Sequence, residues 1–409
     1  MTLFSGLSIL IVLSAVFGYT NLRVLRLPPQ IGIMLLALVT SILFIAAGKL
    51  YPPVLQNVTS LLKTIDFSEL LMGSMLSFML FAGAIHIKMK DLQSEKFSVM
   101  IFSTISVLIS TFLVGIIMYY LLAAFAIRVN FIHCLLFGSL ISPTDPIAVL
   151  GVLKDSKVPK SLETKIAGES LFNDGVAVVI FLTILEVAEQ PGQLDWSKTL
   201  LLFVREALGG IIWGIAIGYL GFLLMRSVNN YKIEVLITLA VVMGGYSFAH
   251  YLHISGPLAM VVAGIFIGNQ HKLMGTSKET VEYLDKFWEL TDEILNGILF
   301  VLIGLELLIV NLHPVYMFIG IISIFILLCV RFISVFLPAQ VIRLKEDISK
   351  RTIFLLTWGG LRGGISIALA LSLKPEMQKD LWVTLTYMIV AFSILVQGLT
   401  VGKLAKKLK

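Results

Sequence analysis

Apolar runs of about twenty residues alternate with short polar connections along the whole chain, and that pattern leaves very few folds open. A run of this length crosses the ~30 Å hydrocarbon core of a bilayer as an α-helix. Inside lipid, backbone polar groups find partners only in helices or closed barrels. Thirteen such runs are read, at about 3–20, 29–48, 67–87, 97–126, 131–153, 163–189, 199–225, 232–252, 256–270, 285–309, 314–338, 350–373 and 380–402. The stretch 53–64 is too short and too polar to cross and is expected at the membrane surface. The stretch 273–286 reads as an amphipathic helix or loop on the cytoplasmic side. Charged residues make up only 14% of the chain, against roughly 25% in soluble domains. The expected fold is therefore an all-α polytopic membrane protein.

The distribution of Lys and Arg tests this count. The ends and connections that share one side carry Arg23 and Arg26, Lys88, Lys90 and Lys96, Lys154, Lys157, Lys160 and Lys165, and Arg226 and Lys232. They continue with Lys272, Lys278 and Lys286, with Arg343, Lys345, Lys350 and Arg351, and with Lys403, Lys406, Lys407 and Lys409. That is about 22 of the 31 basic residues, and basic residues are retained on the cytoplasmic side. One missed span would scramble the alternation. The C-terminus is accordingly expected in the cytoplasm and the N-terminus outside, in the cell (inner) membrane. The net charge of +6 orients the chain; without a long basic tract or aromatic-basic interleaving it implies no nucleic-acid partner. The first apolar run, with no basic region before it, reads as a retained span rather than a leader. Residues 1–409 are expected to form a single integral-membrane domain with no soluble regulatory domain. Cys134 and Cys329 are far apart in apolar runs and read as packing residues.

Three carboxylates interrupt the apolar pattern. Charge at bilayer depth is costly unless it is paired or faces a wet cavity. Asp145 lies in Ser142-Pro143-Thr144-Asp145-Pro146, within span five. Two prolines so close remove backbone donors and disfavour continuous helix, and irregular backbone is tolerated at this depth only where protein or water covers it. A broken helix is expected there, leaving free carbonyls such as that of Thr144 beside the Asp145 carboxylate. Oxygen donors suit hard cations. The alternative is a proline kink with Asp145 as a cap or ion-pair partner. Glu169 and Asp174 lie in Gly168-Glu169-Ser170-Leu171-Phe172-Asn173-Asp174-Gly175, within span six. Ser170, Asn173 and Asp174 share one helix face by their i, i+3, i+4 spacing, and Glu169 borders it. The bland reading of this face is a buried hydrogen-bond cluster. It is preferred for Glu169, and a functional role is preferred for Asp174.

Two arginines at membrane depth need partners, since arginine keeps its charge in proteins. Arg331 lies within span eleven, and Arg362 lies in Gly359-Gly360-Leu361-Arg362-Gly363-Gly364 in span twelve. Each needs a carboxylate or a helix-end carbonyl, and Glu169 and Asp145 are the natural candidates. The four glycines predict a second interruption. One broken helix in each half of the chain points to an inverted-repeat transporter with its site at mid-membrane. Asn296 and Glu306 of span ten read as funnel-lining residues, Glu306 alternatively as solvated, with Asp292 and Glu293 near the cytoplasmic funnel or the end of span ten. The glycines of span seven (Gly209, Gly210, Gly214, Gly218, Gly221) read as close helix packing or a dimer face.

SPTDP at 142–146, GESLFNDG at 168–175, FVLIGLEL at 300–307 and GGLRGG at 359–364 stand in this order at these span positions. With them the whole chain resembles the NhaP-type sodium/proton antiporters of the monovalent cation:proton antiporter superfamily. The resemblance implies an inverted-repeat fold of a core and a dimerisation domain, with spans five and twelve as crossing broken helices, assembled as a homodimer in the lipid bilayer. It implies that Asp145, Ser170 and Asp174 supply side-chain ligands to Na+ and Thr144 a backbone carbonyl, with Asn173 hydrogen-bonding near the broken helix. It implies that Arg331 holds Glu169 and that Arg362 holds the second broken helix, near Asp145. The Asn-Asp pair, in place of the Asp-Asp of related electrogenic exchangers, implies electroneutral exchange of Na+ (or Li+) for H+, with no cofactor and no enzyme activity. Exchange of K+ for H+ is the alternative. A passive channel is disfavoured because no repeated-carbonyl filter loop is evident. An intramembrane aspartyl protease is disfavoured by the Thr-Asp-Pro and Asn-Asp-Gly settings and by two arginines without a role.

Overall fold

The computed structural model describes residues 3–63, 66–145, 160–189, 196–228, 230–273, 278–310, 313–343, 346 and 348–407. The described residues contain helices and connections and no strand. The membrane helices are α1 (Leu3–Thr20), α2 (Pro29–Leu50), α3 (Phe67–Ile85), α4 (Lys96–Ala124), α5 (Phe131–Ile141), α6 (Lys160–Glu189) and α7 (Trp196–Arg226). They continue as α8 (Tyr231–Tyr251), α9 (Gly256–Leu273), α10 (Lys278–Glu306), α11 (Pro314–Ile342), the interrupted pair α12a (Lys350–Trp358) and α12b (Gly364–Leu371), and α13 (Lys379–Lys407).

Among the described residues, nine helices are long and apolar enough to cross a membrane. The other four of the thirteen expected spans depart for local reasons. Helix α5 stops at Ile141, two residues before Pro143; the remainder of expected span five, 146–153, lies outside the described residues. Helix α9 is short, and α12 is split at its glycines. Helix α10 begins with a charged stretch that dilutes its hydropathy.

Of the two readings of that stretch, its described part takes the helical one. Residues 278–286 are the first turns of α10. No proline interrupts 278–306, and Leu284 and Trp288, one turn apart, are both buried. Trp288 packs against Phe81 of α3, 4.7 Å between ring centroids, and donates to Thr238 of α8 at 3.1 Å. The stretch after α2 forms a helix, Pro52–Lys63, too short to cross.

Close approach between helices is set by small residues, since lipid supplies no hydrophobic force between them. A Cβ at Gly210 would lie 2.6 Å from the Ser255 carbonyl, and one at Gly214 would lie 2.6 Å from that of Ala259. The span-seven glycines therefore seat α7 against α9 within one chain. Gly138 of α5 faces the Thr111 carbonyl of α4 in the same way. Ser106 of α4 donates to the Ser334 carbonyl of α11 at 2.5 Å. Helix α10 is fixed from behind by α1 and α2: Gly297 abuts Ser14, Gly304 abuts Ala37, and Ser41 donates to the Gly304 carbonyl at 2.8 Å. Large apolar side chains stay exposed on the outer faces of α1, α7 and α11. Buried polar residues are most numerous on α4, α6 and α13, with others at the two interruptions.

Candidate functional site

The site begins where α5 ends. Beyond Ile141 the backbone leaves the helix, so its polar groups need partners from other elements. The Thr144 N–H donates to Asn173 Oδ1 at 3.3 Å, and the Asp145 N–H donates to the Leu361 carbonyl at 2.8 Å. The carbonyls of Ser142 and Pro143 both accept from Arg362 Nη1, the latter at 2.9 Å. Ser142 also donates back to the Gly138 carbonyl at 2.6 Å. The irregular stretch is thus satisfied from both α6 and the break in α12.

Helix α6 contributes the polar face anticipated from its spacing. Ser170, Asn173 and Asp174 are all buried, as is Glu169 beside them. Asn173 Nδ2 donates to Thr144 Oγ1 at 2.8 Å, and the Thr144 and Ser170 hydroxyls are 3.1 Å apart. Asn173 therefore grips Thr144 twice, once through its backbone and once through its side chain. Asp174 lies one residue further along the same face, within electrostatic reach of Asp145. The structure brings Thr144, Asp145, Ser170, Asn173 and Asp174 into one polar cluster where α5 exits between α6 and α12.

The two arginines take different partners. Arg331 Nη2 donates to Glu169 Oε1 at 2.6 Å and to the Leu356 carbonyl of α12a at 3.2 Å. Glu169 pairs with Arg331, as the resemblance implies. Both side chains are almost wholly buried, 6% and 2% exposed. Arg362 spends its Nη1 on the carbonyl ends of the first broken helix, the second kind of partner anticipated for it. Gly363 lets the chains cross: a Cβ there would sit 2.6 Å from Asp145 Oδ2.

Two residues escaped the sequence reading. The Arg362 N–H donates to Ser393 Oγ at 2.9 Å, and Ser393 donates to Gln397 Oε1 at 2.8 Å. Gln397 Nε2 donates to the Trp358 carbonyl at 3.0 Å. This pair on α13 satisfies backbone on both sides of the α12 break. The signal was present, two polar residues at i, i+4 inside the apolar run 380–402, but nothing in the sequence says what they face. Glu306, which the sequence left between pore-lining and solvated, is buried.

Crossing interrupted helices over buried carboxylates, within a bundle of membrane helices, define a secondary transporter of the broken-helix class. The transmembrane sodium/hydrogen exchanger family model matches residues 11–407. The chain is 46% identical over 403 residues to the Na(+)/H(+) antiporter NhaP of Pseudomonas aeruginosa, covering 97% of this chain and 95% of that one. It is 32% identical over 397 residues to the Na(+)/H(+) antiporter NhaH of Halobacillus dabanensis, covering 94% and 93%. Its fold matches the structure of the sodium proton antiporter MjNhaP1 from Methanocaldococcus jannaschii at pH 8, with a TM-score of 0.79 at 19% identity over 100% of this chain and 99% of that one. The chain belongs to the sodium/hydrogen exchanger family, whose members are multi-pass membrane transporters and not enzymes.

Proposed function

We propose that this protein exchanges Na+ or Li+ for H+, one for one and without net charge, with both ions competing for Asp145 and Asp174. The observation that carries this reading is the paired hold of Asn173 on Thr144, which fixes the broken end of α5 against the α6 face bearing Ser170 and Asp174. The family and the names of its relatives support the choice of ions.

In this reading Asp145, Asp174, the Ser170 hydroxyl and the Thr144 backbone carbonyl replace water around the cation. These are hard oxygen donors, and two carboxylates are the part of the set that a proton can occupy instead. A carrier loaded with one cation or with one proton crosses the barrier, whereas the empty carrier, one charge more negative, does not. Arg331 and Arg362 keep their charge throughout and so cancel from the cycle. Alternating access then arises from movement of the broken-helix core against a fixed scaffold, each ion shifting the balance by its differential affinity for the two states. The described helices act as one transport unit, assembled as a homodimer in the inner membrane, with the Lys- and Arg-rich connections in the cytoplasm.

The test is Asp174→Asn in proteoliposomes containing a pH dye, challenged with Li+, Na+ and K+, with and without a potential clamp. Loss of exchange in protein that remains folded is expected, and retained cation-driven pH change sinks the assignment. In the unmodified protein, a rate that follows the clamped potential rules out electroneutral exchange.

A further inference from the structure

Helix α10 carries polar residues that the crossing site does not use. Asp292, Asn296 and Leu299 stand at i, i+4 and i+7 and share one face. Leu299 marks where that face points: a Cβ at Gly364 would lie 2.9 Å from its Cγ, and the neighbouring Gly363 is the residue pressed against Asp145. The other side of α10, at Gly297 and Gly304, is seated on α1 and α2. Asp292 and Asn296 thus belong to a scaffold helix but look toward the broken-helix crossing.

Asn296 is 1% exposed. Its Nδ2 donates to the Asp292 carbonyl at 2.8 Å, which draws the amide back over the turn bearing Asp292. Its Oδ1 has no hydrogen-bond partner. The Asn296 side chain also hydrogen-bonds the Asp292 side chain, which leaves Oδ1 as its one unpaired atom, and a buried acceptor left unpaired is costly. Asp292 beside it is half-buried and within electrostatic reach of Asp145. A carboxylate and an amide oxygen one turn apart are donors for a hard monovalent cation that keeps part of its water.

We propose that Asp292 and Asn296 form a second cation site, a holding position on α10 from which Na+ passes to Asp145 and Asp174. This inference rests on the exchange reading above. A carboxylate in a low-dielectric cleft raises the local cation concentration without joining the dehydrated site. Its contribution therefore falls on apparent affinity rather than on maximal rate.

The experiment measures apparent KM for Na+, maximal rate and melting temperature in proteoliposomes and detergent. The variants are Asp292→Asn, Asn296→Ala and the exchanged pair Asp292→Asn/Asn296→Asp. Each single variant is expected to raise KM about threefold to tenfold, the scale of local charge effects, with maximal rate and melting temperature unchanged. The exchanged pair returns KM toward its original value, because it restores one carboxylate and one amide at the same two positions. KM unchanged in both single variants, or no recovery in the exchanged pair, overturns the site. If Asp292→Asn does not fold, Asn296→Asp alone decides: the added carboxylate lowers KM, and an unchanged or raised KM overturns the site. Asp174→Asn, measured in parallel, separates the two readings. Residual exchange there overturns the parent assignment, whereas abolished exchange there with unaltered KM at 292 and 296 overturns only the holding site.

Discussion

The backbone N–H of Asp145 donates to the Leu361 carbonyl at 2.8 Å, so the two interrupted helices are joined main chain to main chain where they cross. The bond does not depend on either side chain. Arg362 adds a second link in the same direction, from the break in α12 to the carbonyl end of α5. Each break supplies partners that the other lacks. Neither half of this arrangement is stable at membrane depth alone.

The buried pair Arg331–Glu169 ties α11 to α6. Removing one partner leaves an uncompensated charge, so Arg331→Ala or Glu169→Ala is expected to cost about 3–5 kcal/mol. Replacing both, as Glu169→Leu/Arg331→Met, is expected to recover most of that loss, because similar apolar volume substitutes well for a buried ion pair. Thermal unfolding in detergent reads all three. Unchanged melting temperatures in both single variants count against the structural role.

Arg362→Lys keeps the charge and loses the fork. A guanidinium nitrogen bonded to two successive carbonyls gives a geometry that a flexible ammonium reproduces poorly. A loss of about 2–3 kcal/mol is expected, the scale of one charge-assisted hydrogen bond. It should appear as a lower melting temperature together with slower exchange. Stability and exchange matching those of the unmodified protein would show that a point charge suffices.

Gly363 is required for space rather than for conformation. Its φ of −120° is open to any residue, yet a Cβ there would meet Asp145 Oδ2 at 2.6 Å and Asp145 Cβ at 2.7 Å. Gly363→Ala must therefore push Asp145 or part the two broken helices. A displacement of this kind in a positioned site costs on the order of a hundredfold in rate. Exchange is expected to fall by that scale while the protein stays folded, and activity within twofold of the original contradicts the crowding.

Asn173→Asp retains an acceptor for the Thr144 N–H, and the Thr144 hydroxyl can donate to it, so the contact with the broken helix survives the change. The variant adds one ionisable oxygen pair to the site. Under the proposed one-for-one cycle it is expected to make exchange respond to a clamped membrane potential, measured in proteoliposomes with potassium and valinomycin. A potential-insensitive variant that still exchanges places the charge count elsewhere.

Much of the molecule was legible in the sequence for reasons that are local or one-dimensional. Bilayer thickness fixes helix length, so the apolar runs set the membrane helices. Pro143 and the Gly359–Gly364 cluster marked where helix must stop, since proline and glycine act through their own backbones. The spacing of Ser170, Asn173 and Asp174 placed them on one face without a neighbour in view. Partner choice was a different matter. That Arg331 takes Glu169, that Arg362 takes the carbonyls of Ser142 and Pro143, and that Ser393 and Gln397 close the α12 break depend on groups 31 to 220 residues apart in the chain. The family resemblance pointed to the first of these pairings, and the tertiary structure decided the other two. A buried polar atom bonds whichever complementary group the packing delivers within about 3 Å, and no periodicity encodes which helix will deliver it.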